Sequence, residues 1–217
     1  EEMRKCMNRI RSYPAFAGIK YLAALYLLLP ASVIIITFVF GKGYPKVLIF
    51  LLAVLICMIH IVADNWFLPG AESPKSNLTA YMKTSSKGEH MLRNIVMTDL
   101  VFRFCSLALL IWIPEEILVY AFAWTDKMSA INTWNMILYL YMAVTIGLLI
   151  TRFLDSIWIT MIIAYLISFA MLVAVAVSFG NGIWMLPVLA FSDCILSAMA
   201  VFFSNYAMKR SRYDKKD

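Results

Sequence analysis

Charged residues are scarce in this sequence, and their scarcity excludes an ordinary soluble domain. Asp, Glu, Lys and Arg make up 15% of the 217 residues, whereas they make up roughly 25% of a typical soluble domain. Hydrophobic residues make up 63% of the chain and are grouped in long blocks between Tyr21 and Tyr206. Because a transmembrane helix needs about 20 mostly apolar residues in succession, this composition predicts an all-α membrane protein.

Motifs for catalysis and for nucleotide or metal binding are also missing. The sequence has no Gly-x-x-x-x-Gly-Lys-[Ser/Thr] phosphate loop, no Gly-x-Ser-x-Gly turn and no His-Glu-x-x-His pair. Its four cysteines include no closely spaced pair, and its two histidines, His60 and His90, are far apart in the sequence. This spacing indicates neither a disulfide framework nor a zinc motif. We therefore expect no catalytic residue, no metal site and no cofactor in this chain.

The apolar blocks predict six transmembrane helices in a single domain that covers residues 1–217. We place the spans at residues 21–40, 47–63, 95–113, 134–153, 157–178 and 183–206. Residues 1–18 precede the first span, and their apolar side chains recur at helical spacing between basic ones. That pattern predicts an amphipathic helix lying in the membrane interface. A basic tail, residues 207–217, follows the last span.

The net charge of +6 indicates membrane orientation rather than nucleic-acid binding. With these spans, fifteen Lys and Arg residues fall on one side of the membrane, and only Lys42, Lys46 and Lys127 fall on the other. Basic residues concentrate on the cytoplasmic side of membrane proteins. Both termini are therefore predicted to be cytoplasmic. No basic stripe with interleaved aromatics is available for nucleic acid.

The end of the third span has two interpretations. A second apolar run, residues 117–124, follows the sequence Pro114-Glu115-Glu116. Either this run lies separately at the far interface, or the span covers residues 104–124 and buries two carboxyl groups. Because burying charge in the bilayer is costly, we expect the first arrangement.

The longest hydrophilic stretch, residues 64–94, is predicted to be cytoplasmic. Ser86 and Glu89 fit a capping box, in which each side chain satisfies a backbone N–H group of a helix start. A helix is therefore expected to begin near Lys87 and to run directly into the third span. Residues 77–83 can form a short helix before it. Together the two helices would act as a rigid lever; the alternative is an ordinary solvated loop.

The local sequence of residues 78–103, and the stretch from Tyr81 to Asp99 above all, resembles the cytoplasmic segment of small bacterial ABC-2-type permeases. The resemblance extends to the layout of most of the chain. It implies a permease of the bacterial plasma membrane, an exporter, that dimerises with itself or with a similar permease. A coupling helix would bind a separate ATP-binding cassette subunit, which would hold the ATP and Mg²⁺. The implied coupling residues are Leu78, Tyr81, Met82, Lys83, Gly88 and Glu89.

Among the polar residues within the predicted spans, three are candidate functional residues. Asp99 and Arg103 are four residues apart, so they meet on one helix face and partly neutralise each other; we interpret this pair as an interfacial anchor. Asp193 lies near the middle of the sixth span without a partner in its own helix. It is either held protonated, hydrogen-bonded to a neighbouring helix, or a substrate or proton site. If these residues handle protons, the alternative function is an ATP-independent secondary transporter.

Overall fold

The computed structural model describes residues 19–43, 45–66, 86–124, 128–151, 157–178 and 183–210. Within these ranges all regular structure is helical, and no strand occurs. The predicted interfacial helix (1–18) and the last residues of the basic tail (211–217) lie outside the described residues. So do four of the predicted coupling residues, namely Leu78, Tyr81, Met82 and Lys83.

The first helix, α1, runs from residue 19 to residue 40 and contains one wide turn. Two α-helical segments, Ile19–Ala23 and Leu29–Phe40, flank a π-helical turn at Ala24–Leu28. The wide turn directly precedes Pro30, which has no N–H group and whose ring crowds the carbonyl four residues earlier. A π turn relieves that crowding, because its hydrogen bonds span five residues. Accordingly, the Leu29 N–H group donates to the Ala24 carbonyl.

Among the described residues, five further helices follow in chain order: α2 Pro45–Val62, α3 Ser86–Phe122, α4 Ala130–Thr151, α5 Ile157–Ser178 and α6 Met185–Arg210. A 3₁₀ turn, Ala63–Trp66, extends α2. Each of the six helices includes a stretch that is long and apolar enough to cross a membrane. The prediction of six spans is therefore confirmed, and the protein is a multi-pass helical membrane protein.

Helix α3 corrects one prediction and confirms another. It is a single helix of 37 residues that continues through Pro114 to Phe122, so the expected end at residue 113, with a separate run at the interface, is wrong. Pro114 removes only one backbone hydrogen bond, and the neighbouring Glu115 carboxyl group is buried against a hydroxyl group of α4. The expected start near Lys87 is confirmed, because α3 begins at Ser86.

Helix α4 lies at the centre of the bundle. It packs against α2, α3, α5 and α6, and 67% of its membrane-span residues are buried, compared with 17% for α6. Helix α6 packs mainly against α4 and α3. Polar side chains that face inward from α3, α4 and α6 are consequently brought close together in the interior.

Candidate functional site: buried polar groups in the helix bundle

Arg103 is fully buried between three helices, where it pairs with two carboxylates. Its Nε atom lies 2.8 Å from Oδ2 of Asp99, one turn earlier on α3. Its Nη2 atom lies 2.8 Å from Oδ1 of Asp64, in the 3₁₀ turn after α2. The side chains of Arg103 and Asp99 are 0% exposed and that of Asp64 is 6% exposed. Both pairs are therefore shielded from water, unlike surface ion pairs.

Two further contacts extend this group to α1 and to the backbone of α2. The hydroxyl group of Tyr21 donates to Oδ1 of Asp99, and Nη1 of Arg103 donates to the carbonyl of His60. The Arg103 guanidinium carbon also lies 5.3 Å from the centre of the Tyr21 ring, within the range of a cation–π contact. We name Tyr21, His60, Asp64, Asp99 and Arg103 the inner cluster. It links α1, α2 and α3.

The inner cluster is a structural cross-link that tolerates no single loss. One guanidinium is joined to two carboxylates, and the Tyr21 hydroxyl stabilises one of these carboxylates by donating to Asp99. A buried ion pair gains little stability overall, because removing two charges from water is costly. Deleting one partner, however, leaves a buried charge without compensation. The cluster therefore fixes the relative positions of three helices.

The inner cluster confirms one prediction and corrects two. The Asp99–Arg103 pair forms as its spacing predicted, but it is buried in the bundle and is not an exposed interfacial anchor. Asp64, expected at the start of the solvated cytoplasmic stretch, is also buried. The reason is that the 3₁₀ turn continues α2 for one more turn and directs Asp64 towards Arg103. The sequence analysis missed Asp64 and Tyr21, because no spacing rule pairs residues on different helices.

A second polar group lies around Asp193, about two turns into α6. Asp193 is 5% exposed, and among the described residues neither of its carboxyl oxygens has a hydrogen-bond partner. One turn later on the same face of α6, the Ser197 hydroxyl lies 2.9 Å from the hydroxyl of Tyr141 on α4. We name Tyr141, Asp193 and Ser197 the Asp193 site. The sequence predicted Asp193 but contained no signal for its neighbours.

Tyr141 brings the Asp193 site near the inner cluster. Asp193, Asp99 and Arg103 all lie within electrostatic range of its hydroxyl group. Its ring packs edge-on against Phe104, which follows Arg103 directly on α3, with 5.2 Å between ring centres. The three predicted intramembrane polar residues therefore surround one tyrosine in the same region of the bundle.

Nearer the carboxyl end of α3, a further buried carboxyl group contacts α4. The Thr133 hydroxyl lies 3.1 Å from Oε2 of Glu115 and donates to it, and both residues are buried. Trp112 and Trp134 pack beside them, with 6.1 Å between ring centres. This contact explains how the helix carries Glu115 into the bundle at an acceptable cost.

The structure describes only two of the six predicted coupling residues. Gly88 and Glu89 lie in the first turn of α3, and the other four lie between Trp66 and Ser86, outside the described residues. No protein-family model matches the chain, and no curated protein or solved structure matches it significantly. A function for this chain must therefore be inferred from its buried polar residues and their geometry.

Proposed function

We propose that this chain is the permease subunit of an ATP-driven exporter of the ABC-2 type, in the bacterial plasma membrane with both termini cytoplasmic. It dimerises with itself or with a similar permease. A separate ATP-binding cassette subunit binds ATP and Mg²⁺ and hydrolyses the nucleotide. The resemblance of residues 78–103, together with the six-helix layout, supports this proposal.

The observation that carries the proposal is the ion pair that joins Asp64 to Arg103. Asp64 is the first residue of the predicted coupling segment, residues 64–94, and Arg103 lies on α3, the helix that begins within that segment. Their side chains are 2.8 Å apart, so the two ends of the segment are joined inside the bundle. Arg103 is also tied to α1 through Asp99 and Tyr21. A displacement of residues 67–85 by a partner would consequently act on three helices at once.

The test is a double substitution in the coupling segment, Leu78→Ala with Tyr81→Ala. Aromatic residues are frequently the strongest anchors of a helix bound in a groove. Losing two anchors should cost about 2–4 kcal/mol, a weakening of roughly 30- to 1,000-fold. We expect the variant to insert normally, while the cassette ATPase expressed with it as the candidate partner fails to co-purify or hydrolyses ATP without transport.

Two further variants make the result specific. Tyr120→Ala removes a tyrosine that is 83% exposed at the opposite end of α3, and it should leave the complex and transport unchanged. Gly88→Pro stiffens the start of α3, and it should impair transport while the partner stays bound. If the double alanine variant binds and transports like the parent protein, residues 78–81 are not the coupling element and the proposal fails.

The second candidate function is an ATP-independent secondary transporter. It is favoured by Asp193, a carboxyl group buried in a membrane span without a hydrogen-bond partner among the described residues. The two candidates differ in their genetic context as well as in their biochemistry. A phosphate-loop ATPase gene beside this gene supports the first, and transport by the purified chain alone supports the second.

A further inference from the structure

Asp193 is a buried ionisable group within a membrane span, and no contact in the described part of the chain compensates its charge. Its side chain faces the bundle from α6 with 5% exposure, and neither carboxyl oxygen has a hydrogen-bond partner among the described residues. An ionised carboxylate without a partner is very costly in an apolar interior. The arrangement therefore fits a neutral carboxyl group that carries a proton.

Two hydroxyl groups lie where they can respond if that proton leaves. Ser197 follows Asp193 by four residues, so the two side chains share one face of α6. The Ser197 Oγ atom lies 2.9 Å from the Tyr141 Oη atom, and either atom can be the donor in that hydrogen bond. Neither Asp193 oxygen accepts a hydrogen bond from Ser197 in this structure, so the Asp193 side chain must turn towards Ser197 for the two to meet. After that turn Ser197 can donate to the carboxylate while Tyr141 donates to Ser197. A chain of two donors would then end on the carboxylate.

We propose that Asp193 is a reversible proton-binding site whose ionised form is stabilised by the hydroxyl groups of Ser197 and Tyr141. In the forward step the O–H bond of the Asp193 carboxyl group breaks, and the proton leaves to water. The electron pair stays on the carboxylate, which accepts the Ser197 hydrogen bond. No other bond is made or broken. This inference does not rest on the ATP-binding partner, and it applies to either candidate function.

In the described part of the chain α6 packs mainly against α4 and α3, and their ionisable groups determine the electrostatic surroundings of this site. Asp193 on α6, and Asp99 and Arg103 on α3, lie within electrostatic range of Tyr141 on α4. The other ionisable residue of α4 is Tyr139, and those of α3 are Lys87, Glu89, His90, Arg93, Cys105, Glu115, Glu116 and Tyr120. Because Arg103 is paired with two carboxylates, it is not available as a dedicated counter-ion for Asp193. A proton is therefore the cation that fits the site best.

The experiment is an infrared titration of the purified chain in lipid nanodiscs. The difference spectrum between the parent protein and Asp193→Asn isolates the stretching band of the protonated Asp193 carboxyl group. We expect that band at acidic pH and expect it to disappear as the pH is raised. Asp193→Asn keeps the shape of the side chain, and its size-exclusion profile verifies folding. A band that is absent at every pH, or unchanged across the titration, overturns the proposal.

A second pair of variants tests the role of the hydroxyl chain. Tyr141→Phe removes the outer donor, which bonds Ser197 and not the carboxylate itself, so the titration midpoint should move to higher pH by up to about one unit, the effect of losing one hydrogen bond between two hydroxyl groups. Tyr120→Phe removes a hydroxyl group from an exposed tyrosine and should leave the midpoint in place. Equal midpoints in the parent protein and Tyr141→Phe would refute the assigned stabilisation.

A carboxyl-directed reagent distinguishes a proton from a metal cation. Dicyclohexylcarbodiimide reacts with protonated carboxyl groups in apolar surroundings, and mass spectrometry locates the modified residue. We expect modification of Asp193 to fall with rising pH and to be unaffected by sodium at constant pH. Protection by sodium would assign the site to a metal cation and would contradict the proposal.

Discussion

Arg103 is the residue on which the inner cluster depends. It is fully buried, and it pairs with Asp64 and Asp99 at 2.8 Å in each case. Removing one partner of a buried ion pair typically costs about 3–5 kcal/mol, because the remaining charge is left without compensation. We therefore expect Arg103→Gln to lower the temperature at which the detergent-solubilised protein loses its monodisperse size-exclusion peak.

The control for this prediction keeps Arg103→Gln and removes the two carboxylates that the arginine no longer neutralises. Adding Asp64→Asn and Asp99→Asn to Arg103→Gln removes both carboxylates and keeps groups of similar shape. Most of the lost thermal stability should return in that triple variant. If Arg103→Gln alone is as stable as the parent protein, the inner cluster does not hold the helices together.

At the scale of single residues, the sequence predicts contacts within one helix but not contacts between helices. The spacing of Asp99 and Arg103 predicted their ion pair, because residues four apart meet on a helix face. It contained no information on Asp64 or Tyr21, whose side chains reach Arg103 and Asp99 from other helices. A weaker signal was present: an acidic residue directly after an apolar block requires a partner if the helix continues for another turn.

Two of the helices, α2 and α4, approach each other closely at a glycine. A Cβ atom placed on Gly147 would lie 2.5 Å from Cδ1 and 2.6 Å from Cγ1 of Ile61, and the Ile61 side chain is fully buried. Overpacking a buried contact costs about 1–3 kcal/mol. We expect Gly147→Ala to reduce thermal stability in detergent by a corresponding amount.

Two controls complete this test: a second substitution that makes space at the contact, and a glycine with no atoms close to it. Ile61→Ala creates space for the methyl group that Gly147→Ala adds, so Gly147→Ala should cost less stability in the Ile61→Ala background than in the parent protein. Gly43→Ala adds a methyl group where no atom lies within 4 Å, and it should have no effect. The close packing of α2 on α4 would be refuted if Gly147→Ala and Gly43→Ala behaved alike.

The existence of each helix followed from the sequence, whereas the extent of α3 did not. Apolar blocks predicted all six helices, because a polypeptide in lipid must satisfy its backbone hydrogen bonds internally. The end of α3 was predicted wrongly, because a proline followed by two glutamates is typical of the end of a transmembrane helix. One hydroxyl group from α4 contacts the buried Glu115, and a contact of that kind cannot be anticipated from the α3 sequence alone.

For the whole molecule, the span with the lowest hydropathy is the most buried one. Helix α4 has a mean hydropathy of 1.6 and 67% of its span buried, while the span of α1 has a mean hydropathy of 2.5 and 22% buried. A helix surrounded by other helices can carry polar and small side chains that lipid would not tolerate. In α4 these include Thr133, Asn135, Thr145 and Gly147. The low hydropathy of this span can be read from the sequence, and it indicates the central helix of the bundle.

Six crossings would leave both chain termini on one side of the membrane, and the distribution of basic residues predicts the cytoplasmic side. Single cysteines in a background without the native cysteines test this orientation in intact cells. Cysteines at Lys42, after α1, and at Lys127, before α4, should react with a membrane-impermeant maleimide. Cysteines at Lys87, in the first turn of α3, and at Lys215 should react only after the cells are opened. Labelling at Lys87 in intact cells would invert the orientation, and it would place the predicted coupling segment on the side of the membrane where no cytoplasmic ATPase can reach it.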